Sequence, residues 1–183
     1  LTFLLLGILG GSLYFFTENT ALKHTFAANV SIIVAMAPIL TSILAHFFTR
    51  DEKLHTTVWV GFAVAMSGVV LVVLNGALVL KLSPVGDLLA FLAAASWACY
   101  SVLIKRLSGR VDSTLLARRV ILYGAVTSVP LLAARGELSI DFTPLAQPKP
   151  LFCILFLAVL GSAVCFAVWN VVIDRLGVVH ANN

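Results

Sequence analysis

Six long apolar runs dominate the chain, and short polar segments separate them. The runs cover residues 1–22, 27–49, 57–80, 85–105, 115–134 and 151–173. Each is close to the roughly 20 residues that an α-helix needs to cross the hydrocarbon core of a bilayer. The runs are continuous and do not alternate as the strands of a membrane β-barrel do. The pattern therefore predicts an all-α, polytopic bundle of six transmembrane helices.

Composition excludes the soluble classes of protein. Hydrophobic residues make up 61% of the 183 positions and charged residues only 11%, whereas a soluble domain has roughly 45–50% apolar and about 25% charged residues. A water-soluble fold of this size cannot hide so much apolar surface, because much of a small domain's surface stays exposed. The lipid bilayer is therefore a predicted partner. Nucleic acid is not, since no basic run is interleaved with aromatic residues.

The basic residues predict an orientation in the membrane. Positively charged loops stay in the cytoplasm. If the first helix runs outward, four of the 12 basic residues lie on the outer side and eight on the inner side, which favours this topology in a bacterial cytoplasmic membrane. The outer four are Lys23, Lys81, Arg135 and Lys149. The inner eight are Arg50, Lys53, Lys105, Arg106, Arg110, Arg118, Arg119 and Arg175.

Motifs for catalysis and metal binding do not occur in the sequence. There is no GxSxG, HExxH or Walker motif, and the three cysteines lie in apolar runs without the spacing of metal ligands. The connections between the runs are too short for a soluble domain. We therefore predict that the protein is not an enzyme and that it uses no metal and no cofactor.

The first and sixth runs resemble each other at a constant offset of 151 residues. At this offset Gly10 matches Gly161, and Asn19 matches Asn170. Equivalent points are five helices apart, and because five is odd, the equivalent helices run in opposite directions. The match predicts an inverted-topology repeat, which suits alternating access in transporters and also occurs in channels.

Four stretches of the chain resemble the EamA type of the drug/metabolite transporter superfamily. Each motif is loose, but together they cover nearly the whole chain. They are residues 18–25 with Asn29 and Pro38, the charged turn 50–54 with Gly61 and Gly68, residues 86–90 with Ser96 and Trp97, and Gly161 and Ser162 with Trp169 and Asn170.

The resemblance implies a fold of ten helices in two inverted repeats of five. The chain would then supply helices three to eight, with residues 1–80 in the first repeat and residues 81–183 in the second. Such an internal piece is expected to insert into a membrane but not to transport by itself.

The resemblance also implies a secondary transporter that exports or exchanges small organic solutes such as amino acids, metabolites or drugs. A small-molecule solute is then a partner, and homo-oligomerisation is left open. The alternatives are a non-transporting membrane scaffold and a membrane-embedded, lipid-handling enzyme. Solute flux without lipid turnover would favour the transporter.

Seven polar or aromatic residues within the runs are candidates for substrate binding or coupling. Glu18 stands out because a charge in lipid costs about 2.5–3.5 kcal/mol and therefore faces a cavity, a partner or the interface. The aromatic candidates could line a cavity for amphipathic molecules, or they could only pack or form an interfacial belt. The seven are Tyr14, Glu18, Asn19, Trp97, Tyr100, Trp169 and Asn170.

Proline and glycine predict special backbone positions. Pro38 lies in the middle of the second run, where it removes a backbone hydrogen bond and bends the helix; we predict a gating kink there, with a purely structural bend as the alternative. Gly7 with Gly11, and Gly61 with Gly68, predict small faces for close contact between helices.

Overall fold

The computed structural model describes residues 1–49, 56–74, 83–107, 109–136 and 143–182. Within these ranges the regular structure is helical, which confirms the all-α prediction. A 3-10 turn, Thr143–Ala146, precedes the sixth helix. The helices are α1 (residues 2–24), α2 (Ala27–Phe48), α3 (Thr56–Leu74), α4 (Pro84–Leu107), α5 (Ser113–Ala134), α6 (Pro148–Leu176) and α7 (Val178–Asn182).

Four of these helices, α2, α4, α5 and α6, are long and apolar enough to cross a membrane. The first six helices coincide with the six apolar runs, apart from the end of the third run, residues 75–80, which lies outside the described ranges. The short helix α7 is an addition that the sequence did not predict. Gly177, with a φ of +83°, separates α7 from α6. The buried residues of α7 pack against the second half of α2.

Helix α4 is the centre of the bundle. Half of its apolar stretch is buried, against 6% of that of α6, because α1, α2 and α6 all contact it. Its buried residues include Ala90, Ala94, Ala98 and Tyr100. Small side chains along α4 let its neighbours approach closely.

Contacts along α4 fix the direction of α1. The Thr25 hydroxyl, just after the end of α1, donates to Asp87 Oδ1 near the start of α4 at 3.2 Å. The Ser96 hydroxyl, further along α4, donates to the carbonyl oxygen of Leu9 at 2.8 Å. Residue numbers therefore decrease along α1 in the direction in which they increase along α4, so these two helices are antiparallel.

Helix α6 runs in the same direction as α4. The ring of Trp97 lies 6.0 Å from that of Phe166, and the backbone N–H of Gly109, beyond the end of α4, donates to Asp174 Oδ1 at 3.1 Å. Residue numbers rise together along both helices. Since α1 is antiparallel to α4, α1 and α6 run in opposite directions.

Two helices contain a π-helical segment, Ile8–Ser12 in α1 and Leu157–Val164 in α6. Such segments replace the i→i−4 ladder with wider turns and often occur at functional sites. The carbonyl of Leu9, inside the α1 segment, accepts the hydrogen bond from Ser96. A side chain of α4 thus enters the backbone ladder of α1.

Glycines bring α1 and α5 into direct backbone contact. A Cβ at Gly7 would lie 2.5 Å from Tyr123 Cβ, and one at Gly11 would lie 2.9 Å from Gly124 Cα. The predicted small face of Gly7 and Gly11 therefore packs as expected. At Gly61 and Gly68 of α3, no described atom lies within 4 Å of an added Cβ, so the second predicted small face meets no described neighbour.

Helix α2 is broken near its middle. Its first part, Ala27–Val34, and its second part, Ala37–Phe48, are joined by a turn at Ala35 and Met36. Pro38 lies in the first turn of the second part, where its missing N–H leaves no helical bond unmade. The interruption of the helix thus lies two residues before the proline.

Asp87 joins the start of α4 to the α1–α2 connection. Its Oδ2 accepts from the backbone N–H of Ser83 at 3.0 Å, and its Oδ1 accepts from Thr25. The Thr25 hydroxyl in turn accepts from Asn29 Nδ2 at 3.1 Å. The carboxylate thus caps one helix and holds the junction between two others.

We expect Asp87→Ala to lower the free energy of unfolding by about 1–3 kcal/mol, because it removes a helix cap and leaves a partly buried hydroxyl without its acceptor. Asp112→Ala is the matched control. Among the described residues, Asp112 accepts from its own helix start, the N–H groups of Thr114 and Leu115. Thermal unfolding in detergent should show the larger loss for Asp87→Ala, and equal losses would contradict the bridging role.

Candidate functional site

Five aromatic rings from α1, α4 and α6 form one aromatic cluster, centred on Trp97 of α4. Aromatic pairs at centroid separations of about 4.5–7 Å stabilise each other. The centroid of the Trp97 ring lies 5.3 Å from Tyr14, 5.2 Å from Tyr100, 6.0 Å from Phe166 and 5.5 Å from Trp169. Helices far apart in sequence thus contribute rings to one place in the bundle.

A carboxylate lies at the α1 side of the aromatic cluster. Glu18 and Tyr14 are one turn apart on α1, and the Tyr14 hydroxyl donates to Glu18 Oε1 at 3.1 Å. Glu18 is half-buried, so its charge stays partly in contact with solvent or headgroups. The hydrogen bond ties the carboxylate to a ring that contacts Trp97.

An amide lies at the α6 side. Asn170 is almost fully buried, and its Oδ1 accepts from the Tyr100 hydroxyl at 3.3 Å. Its Nδ2 and the neighbouring Trp169 Nε1 are buried and have no hydrogen-bond acceptor in the part of the chain that the structure describes. A buried donor without an acceptor costs about 1–3 kcal/mol. Two unpaired donors therefore lie next to each other in sequence at the α6 side of the aromatic cluster.

The structure brings six of the seven candidate residues together and leaves one apart. Asn19 is exposed, and its Nδ2 donates to the carbonyl oxygen of Phe15 at 2.8 Å. It faces the α5 side of α1, away from the aromatic cluster. The sequence missed Phe166, whose signal is its spacing: it precedes Trp169 by three residues and Asn170 by four, so all three share one helical face.

Gly10 lets the Tyr100 ring approach α1. A Cβ at Gly10 would lie 2.4 Å from Tyr100 Cδ2, which is closer than real Cβ contacts. Gly161, which matches Gly10 in sequence at the offset of 151 residues, is exposed, and the nearest atom to an added Cβ there is Leu157 Cδ2 at 3.5 Å. The two glycines occupy matching positions in sequence but very different surroundings.

Gly10→Ala should therefore lower the free energy of unfolding by about 1–3 kcal/mol, because the added methyl group overpacks a filled site. Gly161→Ala should leave it unchanged or raise it by up to about 1 kcal/mol, because alanine is favoured over glycine inside a helix and the position has open space. The thermal unfolding midpoints of the two variants measure the difference. Equal midpoints would show that the contact between Gly10 and Tyr100 does not constrain the bundle.

Comparison with known proteins gives a family match along most of the chain. The model of the EamA-like transporter family matches residues 1–74 and 84–182. A solved protein chain of 23% sequence identity superposes with a TM-score of 0.78 and covers 98% of this chain and 63% of its own length. That likeness shows the fold alone.

Several curated transporters are similar in sequence. They are the "Uncharacterized transporter YyaM" of Bacillus subtilis (31% identity, 94% of this chain, 56% of the relative), the "Probable amino-acid metabolite efflux pump" of Escherichia coli (24%, 85%, 54%) and the "Probable terminal-alkyne amino-acid exporter" of Streptantibioticus cattleyicolor (28%, 95%, 56%). The chain thus spans about half the length of the curated relatives it matches.

Proposed function

The chain belongs to the EamA-like transporter family, and we propose that it is the central part of a secondary transporter that exports or exchanges amino acids and similar amphipathic solutes. The family consists of transporters and not of enzymes, in agreement with the lack of catalytic motifs in the sequence. Several of its helices are able to span a membrane. Small solutes are the partners that the family implies.

The proposal rests on one observation: side chains of α1 and of α6 both contact Trp97 of α4. A solute ammonium group would lie near the Glu18 carboxylate and against the ring faces, which attract cations. A solute carboxylate would accept from Trp169 Nε1 and Asn170 Nδ2. The rings of Trp97 and Tyr100 would cover an apolar side chain. The two sides of the aromatic cluster thus offer an acceptor for an ammonium group and donors for a carboxylate group.

The names of the relatives agree with this substrate class. One relative is named for amino-acid metabolites and another for a terminal-alkyne amino acid. Both names describe export, so outward transport is the direction we propose. We place the protein in a bacterial cytoplasmic membrane, where the basic residues at the α4–α5 connection would face the cytoplasm.

An inverted repeat would supply two gates around this site. In support, α1 and α6 run in opposite directions, and both contain a π-helical segment. Adding the offset of 151 to Ile8–Ser12 gives residues 159–163, which lie inside the second segment, Leu157–Val164. We propose residues 1–80 and 81–183 as parts of the two repeats, and the break in α2 near Pro38 as a hinge of one gate.

Flux measurements on the complete transporter test the proposal. The protein is reconstituted into proteoliposomes that contain each of the twenty common L-amino acids singly, and efflux is followed with radiolabel. We expect saturable efflux for a subset with apolar side chains. Lipid turnover in the same vesicles without efflux of any amino acid would overturn the proposal and favour a lipid-handling protein.

A further inference from the structure

A groove follows the contact between α1 and α5, on the side of α1 that carries Phe15 and Asn19. It consists of two open voids of about 210 and 220 Å³. Phe15 and Ser128 line both voids, so the voids adjoin and form one α1–α5 groove. The groove shares the Phe166 ring with the aromatic cluster, and the other residues that line it lie outside the cluster.

The walls of the α1–α5 groove are apolar over most of its length. Its inner void is bordered by Val120, Ile121 and Ala125 on α5 and by Phe166 on α6. Gly11 and Gly124, where the backbones of α1 and α5 are in contact, also border this void. From residue 120 to residue 135 the groove follows about 22 Å of helix, which exceeds the half-thickness of a bilayer core of roughly 30 Å.

The outer end of the groove is cationic. Lys23 and Arg135 line the outer void, and the residues that border it include neither aspartate nor glutamate among those the structure describes. The Arg135 guanidinium lies over the Phe16 ring, 4.1 Å from its centroid, and donates to Thr20 Oγ1. These contacts fix the guanidinium at the mouth of the groove, and among the residues that the structure describes Thr20 is the one acceptor for its five N–H donors.

We propose that the α1–α5 groove binds one anionic phospholipid, with an acyl chain along the groove and the phosphate on Arg135, assisted by Lys23. Arginine pairs with phosphate through two parallel hydrogen bonds. The apolar groove is long enough for a chain that passes beyond the middle of the bilayer, which a free phosphate or a small carboxylate would not fill. In the proposed orientation the headgroup lies in the outer leaflet.

Native mass spectrometry of the complete transporter tests this proposal with two lipids that share their acyl chains, phosphatidylglycerol and phosphatidylcholine. We expect phosphatidylglycerol to bind more tightly and Arg135→Gln to weaken it by about fivefold, the contribution of one cation near a membrane surface. Lys149→Gln is the matched control, because Lys149 is exposed at the start of α6 and lies outside the groove. Equal binding of both lipids, or no effect of Arg135→Gln, would overturn the proposal.

A second variant tests whether the acyl chain of the lipid lies in the α1–α5 groove. Ser128 lies where the two voids meet, so Ser128→Phe should block the groove and weaken long-chain phosphatidylglycerol without affecting its dihexanoyl analogue. Unchanged binding of the long-chain lipid would overturn the proposal. This result is also the one expected if another segment of the protein fills the groove. Competition by millimolar inorganic phosphate equal to that by the lipid would assign the site to free phosphate and also overturn it. Thermal unfolding confirms that each variant is folded.

Discussion

Trp97→Ala should reduce amino-acid efflux by at least about tenfold while leaving the transporter inserted in the membrane. The Trp97 ring contacts Tyr14 on the α1 side and Trp169 on the α6 side of the aromatic cluster. Removal of the Trp97 ring takes away the surface on which a solute would lie. It also removes the ring that connects the Glu18 side with the Asn170 side, which would hold the charges of the solute. A loss of about 1.4 kcal/mol in transition-state binding corresponds to this factor of ten.

The controls separate loss of the site from loss of the fold. Trp59→Ala removes a tryptophan from α3 that is 46% exposed and takes no part in the aromatic cluster, so efflux should stay within about twofold of the unmodified protein. Trp97→Phe keeps a ring and should retain an intermediate rate. Efflux is compared at equal amounts of membrane-inserted protein. Equal rates for Trp97→Ala and Trp59→Ala would contradict the assignment.

Glu18→Gln should lower the efflux of amino acids by about tenfold or more. The substitution keeps an acceptor for the Tyr14 hydroxyl but removes the negative charge, and a charge pair in a partly desolvated site contributes more than the same pair in water. The expected loss is specific to the amine: a deaminated analogue with the same side chain should be transported at an unchanged or higher rate.

Asn19→Ala is the matched control for Glu18→Gln. Asn19 is the next residue along α1, but its amide is bonded to the carbonyl of Phe15 and faces away from the aromatic cluster. Its removal should leave efflux nearly unchanged. Parallel efflux assays with amino acid and deaminated analogue measure both variants. A loss that is equal for the two solutes would show that Glu18 acts on transport without binding the amine.

Much of the fold could be predicted from the sequence because membrane helices leave long apolar runs. The runs located α1 to α6 to within a few residues, since lipid forces every backbone group to pair inside its own helix. The short helix α7 and the π-helical segments left no such signal. The segment in α1 coincides with a tertiary contact, the hydrogen bond from Ser96 to Leu9, which no local pattern contains.

The candidate site was predictable residue by residue but not as an assembly. Spacing placed Tyr14 with Glu18 on one helical face, yet which faces meet is decided by packing around α4. The offset of 151 residues matched Asn19 with Asn170, and both were candidates for substrate binding. Their surroundings differ: Asn170 is buried against Tyr100, whereas Asn19 is exposed beside the α1–α5 groove. Two residues that match in sequence can therefore lie on corresponding helices and still have different neighbours.

Equilibrium binding of a radiolabelled amino acid to the purified transporter tests the central claim most directly. The ligand is the amino acid with the highest efflux rate in the panel of twenty. We predict saturable binding to the unmodified protein and to Trp59→Ala, and binding weakened at least about tenfold in both Trp97→Ala and Glu18→Gln. The same dissociation constant for all four proteins would show that the solute binds elsewhere and would contradict the account.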